Sequence, residues 1–270
     1  MFFLISGVFF KTVHLKRKLK HLMAPYISFY VLAFVAYVLK AIGKNESVIW
    51  ESFLIPFIGG TRDYQNTPLW FLVSLSEIMI VSYFIIRKYN KTIVILLSFV
   101  AALIASKMPK YSISIPYYID VSLVCLPFFL AGYFLKKIIL NKVNLKCSLM
   151  MIAISLILYF VNPVFTNVST NYLPQGYFLF YFVSISGTIG IVGLCHALKD
   201  NIVISGIQFC GRNSLIILCT HMIFMTVDSV CMSLIKNTLC ASLVSFACLI
   251  IVETCVCYLI KRYMKFTLGQ

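Results

Sequence analysis

Charge is scarce in this 270-residue chain, at 11%, and negative charge is scarcer still: eight Asp and Glu stand against 23 Lys and Arg. Together with a hydrophobic content of 61%, that scarcity excludes an ordinary water-soluble domain. Long polar intervals are lacking too. The largest, residues 43–68, is short and punctuated by apolar residues, so the expectation is one membrane domain over residues 1–270. No basic region precedes the opening Met1-Phe2-Phe3-Leu4-Ile5, and no cleavable signal peptide is expected. Ten cysteines are present without metal-ligand spacing. Most lie inside apolar stretches, where a thiol serves as a small packing group. Cys255 and Cys257 are two apart and would point in different directions on a helix, so no metal site is placed. Cys231 and Cys240 flank one loop and could pair in an oxidising compartment, an outcome we do not expect.

What charge there is follows an order. The gaps at residues 11–21, 87–91, 136–146, 199–212 and 261–270 hold 17 of the 23 basic residues. The alternating gaps hold only Lys40, Lys44, Arg62, Lys107, Lys110 and Lys236. Basic residues resist translocation, so the alternation predicts an all-α, polytopic transmembrane bundle with its N-terminus outside and its C-terminus cytoplasmic. The net charge of +15 is therefore a topology signal, and because it is split among short separated loops no nucleic-acid partner is expected.

Crossing a hydrocarbon core of about 30 Å takes about 20 helical residues. Eight segments qualify: 22–42, 69–86, 92–106, 120–140, 147–162, 176–198, 212–230 and 238–260. Residues 1–10 form a ninth, truncated segment that covers about 15 Å at 1.5 Å per residue. The charge order needs an odd number of crossings. We therefore expect the chain to start within what is elsewhere a longer helix.

Three phrases carry candidate chemistry. Residues 2–10, FFLISGVFF, contain Ser6-Gly7, which permits close helix approach. They run into Lys11, Lys16, Arg17, Lys18 and Lys20 and then Leu22-Met23-Ala24-Pro25-Tyr26. Five cations at the cytoplasmic surface could meet a polyphosphate ligand or serve as an anchor on anionic lipid. Thr67-Pro68-Leu69-Trp70-Phe71-Leu72 places Pro in a first helical turn and Trp70 at the depth of an interfacial aromatic belt. Gly211-Arg212-Asn213-Ser214-Leu215 opens a helix in which His221 would lie about 13 Å further along the axis, near the bilayer midplane. Ionisable groups at that depth usually face a polar cavity or a partner. Glu77, about 12 Å into its span, and Glu253 are the buried carboxylates, each open to a catalytic role or to simple pairing with a polar neighbour. Asp120 and Asp228 are expected to be solvated near the outer face, and His14 and His196 to be ordinary surface residues.

In order and spacing these phrases, with Leu126-Pro127-Phe128-Phe129-Leu130-Ala131-Gly132-Tyr133, resemble the integral-membrane acyltransferase 3 family of bacterial O-acetyltransferases. The resemblance covers essentially the whole chain and is closest to small members that decorate sugars and surface polysaccharides. It implies an acyltransferase (of groups other than aminoacyl) in the bacterial cytoplasmic membrane. Such an enzyme moves an acetyl or other acyl group from acyl-CoA, a co-substrate met from the cytoplasm, to a sugar hydroxyl. It further implies that Arg17, Lys18 and Lys20 contact the donor's phosphates. Ser6, Trp70, Arg212, Asn213 and Ser214 would border the substrate cavity, and His221 and Glu77 would be catalytic. The sequence departs from the family twice. The family's first helix, with a basic residue and a histidine about eleven positions later, has no counterpart here, and His21 stands where relatives often carry arginine. Two alternatives remain open: a transporter or flippase subunit for a glycan precursor, disfavoured by the lack of a convincing internal repeat, and a non-catalytic remnant.

Overall fold

The computed structural model describes residues 1–51, 53–54, 67–111, 115–141, 143–161, 166–171, 173, 176–198, 202–235 and 237–268. Among these residues the fold is all helical: α1 Phe2–Val8, α2 Leu15–Gly43, α3 Trp70–Lys88, α4 Lys91–Lys107, α5 Ile119–Asn141, α6 Leu145–Val161, α7 Tyr177–Ala197, α8 Ile202–Arg212, α9 Ser214–Thr220, α10 Met225–Leu234 and α11 Thr238–Tyr263. Among the described residues, six helical stretches are long and apolar enough to cross a bilayer: Thr12–Gly43, Trp70–Lys88, Lys91–Tyr111, Pro116–Leu140, Tyr177–Ala197 and Thr238–Tyr263. Helix α6, at 17 residues, is a shorter apolar helix. The chain is an integral membrane protein.

Local chemistry sets the helix ends. Asn90, Asn144 and Asn237 accept backbone N–H bonds at the starts of α4, α6 and α11. These bonds satisfy donors that have no partner inside the helix. Arg87 and Lys88 close α3, and Lys261 and Arg262 close α11, where positive charge meets the negative end of the helix dipole. Hydroxyls within the spans bond back to their own helices, as Ser98 does to Ile95 and Thr254 to Ile250, at 2.7 Å each. Polar groups without water thereby find partners.

Two compact units divide the chain. The first comprises Met1–Leu15 and Ser74–Asp200. In it α1 lies against α5 at a crossing made by two glycines. A Cβ on Gly7 would overlap the Phe129 carbonyl, and one on Gly132 would overlap the Leu4 carbonyl, so each glycine admits the other helix's backbone. Phe10 closes the contact edge-on to Phe129, with ring centroids 5.1 Å apart. Helices α6 and α7 pair through Ser148, Ser155, Ser186 and Gly190, with the Ser155 and Ser186 hydroxyls 2.8 Å apart. Asp120 is not solvated as expected. It is fully buried and accepts a 2.8 Å bond from Asn171, whose left-handed backbone (φ 53°) turns its amide inward.

The second unit comprises Lys16–Val73 and Asn201–Gln270. Here α11 packs against α9 and α10, α9 touches the turn Thr67–Leu69, and the C-terminal turn Lys265–Leu268 folds back onto α11. The expected single span over 212–230 is in fact broken into α9 and α10. Asn213 (φ −106°, ψ 6°) separates α8 from α9, and a tight turn runs from His221 to Phe224. At the break the backbone pairing shortens: His221 N–H still bonds to the Ile217 carbonyl, but Ile223 and Phe224 bond three residues back, to Thr220 and His221. The Thr220 hydroxyl and the His221 ring share the Ile216 and Ile217 carbonyls, at 2.9 Å each. Asp228 is half-buried and accepts from Ser245 at 2.7 Å, which also departs from the solvated expectation. His14 and His196 are exposed, as expected.

Candidate functional site

Helix α2 begins with the basic tract, and its first two turns place Arg17 and His21 one turn apart on one face. Arg212 ends α8 and Asn213 follows it, while Lys261 lies in the last turn of α11. In the second unit these residues and Leu268 line one cavity of about 440 Å³. Its lining includes Arg17, Arg212 and Lys261, all exposed, with no carboxylate among the described lining residues. Three fixed positive charges around a concave opening focus potential and favour an anionic ligand.

His21 organises one wall. Its Nδ1 is 3.2 Å from the Leu268 carbonyl, which makes Nδ1 the protonated nitrogen and points Nε2 toward the Arg17 guanidinium, 3.5 Å away. The chain's last described turn is thus held against its first basic tract, and Thr267 is buried in the closure.

A second polar cluster lies where α9 ends. Glu253, on α11, is 93% buried. Its Oε2 lies 2.7 Å from the Thr220 hydroxyl, while Oε1 has no hydrogen-bond partner among the described residues. His221 follows Thr220 directly in the chain. Because His221 Nδ1 faces the Ile217 carbonyl, that nitrogen carries the proton and Nε2 keeps its lone pair. The half-buried imidazole is therefore in the tautomer that a general base requires.

The sequence-predicted site residues divide between these places. Arg17, Arg212 and Asn213 meet at the cavity. Lys18, half-buried, and Lys20, exposed, are not among its lining residues. Ser214 is the half-buried first residue of α9, and Trp70, half-buried, opens α3 with its ring edge-on to Phe71. Ser6 and Glu77 belong to the first unit. Ser6 is half-buried on α1 beside the glycine crossing. Glu77 accepts from Ser122 at 2.5 Å and lines a small, otherwise apolar cavity with Ile78 and Leu126. Sequence reasoning missed His21 and Lys261 as site residues. His21 stands one helical turn after Arg17, a spacing that could have flagged it. Lys261 was weighed only as a topology charge.

No curated protein and no solved structure matches this chain. A family model described as an acyltransferase domain matches residues 1–262. That stretch contains the glycine crossing, the three basic residues of the cavity and the broken helix with its histidine. The chain belongs to the acyltransferase 3 family.

Proposed function

We propose that the protein is a membrane-bound O-acyltransferase that moves an acetyl or related acyl group from acyl-CoA to a hydroxyl of a sugar or surface polysaccharide. The observation that carries this reading is the cavity lined by Arg17, Arg212 and Lys261. The three residues come from three separate basic tracts that the charge alternation assigns to the cytoplasmic side, where acyl-CoA is found. Guanidinium groups bind phosphate oxygens through paired N–H bonds, so Arg17 and Arg212 are the principal contacts for the donor's phosphates, and Lys18 and Lys20 add charge nearby. The protein lies in the bacterial cytoplasmic membrane in this reading, with its C-terminus inside.

For transfer, an acceptor hydroxyl attacks the thioester carbonyl. A C–O bond forms, the C–S bond breaks, the base takes the hydroxyl proton and the leaving thiolate is protonated in turn. His221 Nε2 is the base in this reading, with its ring oriented by Ile217, and the Glu253–Thr220 pair balances the charge that develops on the imidazole. Trp70 and Ser214, in the same unit as His221, border the acceptor's path in this reading.

The test is acetyl transfer in membranes carrying the protein, with labelled acetyl-CoA and candidate polysaccharides. Label should enter the acceptor, and Arg17→Ala and Arg212→Ala should raise the donor KM. Flux of a glycan precursor without any acyl transfer would overturn the proposal and favour a transporter. Cysteine labelling that placed residues 16–20 on the outer face would also overturn it, because the donor would have no access.

A further inference from the structure

Asn213 is an N-cap residue that does not cap. Its side chain usually would accept an N–H from the first turn of α9, and here it makes no such bond. Instead its Nδ2 donates to the Phe209 carbonyl at 2.8 Å, which fixes the amide orientation and leaves Oδ1 as the group in question. Asn213 is 99% buried, Oδ1 has no hydrogen-bond partner among the described residues, and the residue lines the cationic cavity. A buried acceptor left without a donor costs about 1–3 kcal/mol, so its retention beside a cavity calls for a ligand group that completes it.

The rest of the lining narrows that group. Arg17, Arg212 and Lys261 offer only donors, the Leu268 carbonyl already faces His21 Nδ1, and His21 Nε2 already faces the Arg17 guanidinium. A phosphate meets the cations well. An amino group would find only further donors there, except at Asn213 Oδ1. At about 440 Å³ the cavity suits a headgroup of nucleotide size.

We propose that Asn213 is a specificity-determining residue that accepts an N–H from the nucleobase amino group of a phosphate-bearing ligand, so that the cavity distinguishes an adenine nucleotide from its deaminated counterpart. This inference rests on the donor reading above. It adds which part of the donor the cavity reads and which residue reads it.

The test is competition binding to the full chain in detergent. Labelled adenosine 3′,5′-bisphosphate is displaced by the unlabelled compound, by inosine 3′,5′-bisphosphate, and by inorganic diphosphate. The wild type should bind the adenosine compound about five- to a hundredfold more tightly than the inosine compound, whose ring presents a carbonyl where the amino group was. Asn213→Leu should bring the two nucleotides within about twofold of each other while leaving diphosphate binding near the wild-type value. Asn213→Gln keeps both an amide oxygen that accepts and an amide nitrogen that donates and should retain the preference, which tests the role of the amide whether or not the leucine variant folds. Equal binding of the two nucleotides by the wild type, with diphosphate still bound, overturns the role of Asn213 and leaves the donor reading standing. Binding of none of the three overturns the donor reading itself.

Discussion

Replacing Gly132 with alanine tests the contact on which the first unit is built. A Cβ at Gly132 meets the Leu4 carbonyl oxygen, with the Val8 amide nitrogen at 3.0 Å, and both are backbone atoms that no rotamer change can move aside. Helix α1 must therefore back away from α5. Overpacking of this kind, against backbone on both sides, costs on the order of 1–3 kcal/mol. Heating detergent-solubilised protein in steps and measuring the fraction that stays monodisperse should show a fall of several degrees. Gly7→Ala meets the Phe129 carbonyl from the other side and should behave alike. The double variant should cost clearly less than the sum, because either substitution alone already parts the helices. Gly206→Ala, where nothing lies within 4 Å, is the control and should be neutral or slightly stabilising. An unchanged melting profile for Gly132→Ala, or strict additivity in the double variant, would refute the crossing.

Arg17→Ala and Arg212→Ala should each raise the donor KM about tenfold to a hundredfold, the worth of one charge-assisted bond, with the acceptor KM little changed; initial rates against each substrate decide this. His221→Ala should lower kcat about 10²–10⁴-fold with little effect on donor binding, and a variant with near wild-type kcat would remove His221 as the base. Thr220→Val takes away the hydroxyl beside the buried Glu253 carboxylate and should cost about 1–3 kcal/mol in the same heating assay. Adding Glu253→Gln should recover part of that loss, since an amide can donate to a nearby carbonyl.

Much of the helical order was legible because spans are written in composition. A stretch such as residues 238–260 is apolar on all sides and ends in Lys261 and Arg262, and the structure carries α11 from Thr238 to Tyr263. The break after His221 was not legible from hydropathy. Residues 212–230 are apolar enough for one span, and the interruption is a local change of backbone pairing, in which Ile223 and Phe224 bond three residues back to Thr220 and His221. Asp120 was misread for a similar reason: position near a span end suggested solvent, but the partner that buries it, Asn171, is 51 residues away.

The sequence by itself determined that this chain is a helical membrane protein, where its basic residues concentrate, and through its ordered phrases its family. Those properties depend on local composition and on what lipid tolerates, and they need no knowledge of which helix meets which. Only the tertiary structure decided that FFLISGVFF and LPFFLAGY are two halves of one glycine crossing, and that Arg17, Arg212 and Lys261 line one cavity. It alone showed that Asn213 keeps a buried oxygen there with no hydrogen-bond partner among the described residues. Meetings between residues up to 247 positions apart, as between His21 and Leu268, are set by packing of side chains onto opposing backbones, which no local pattern encodes.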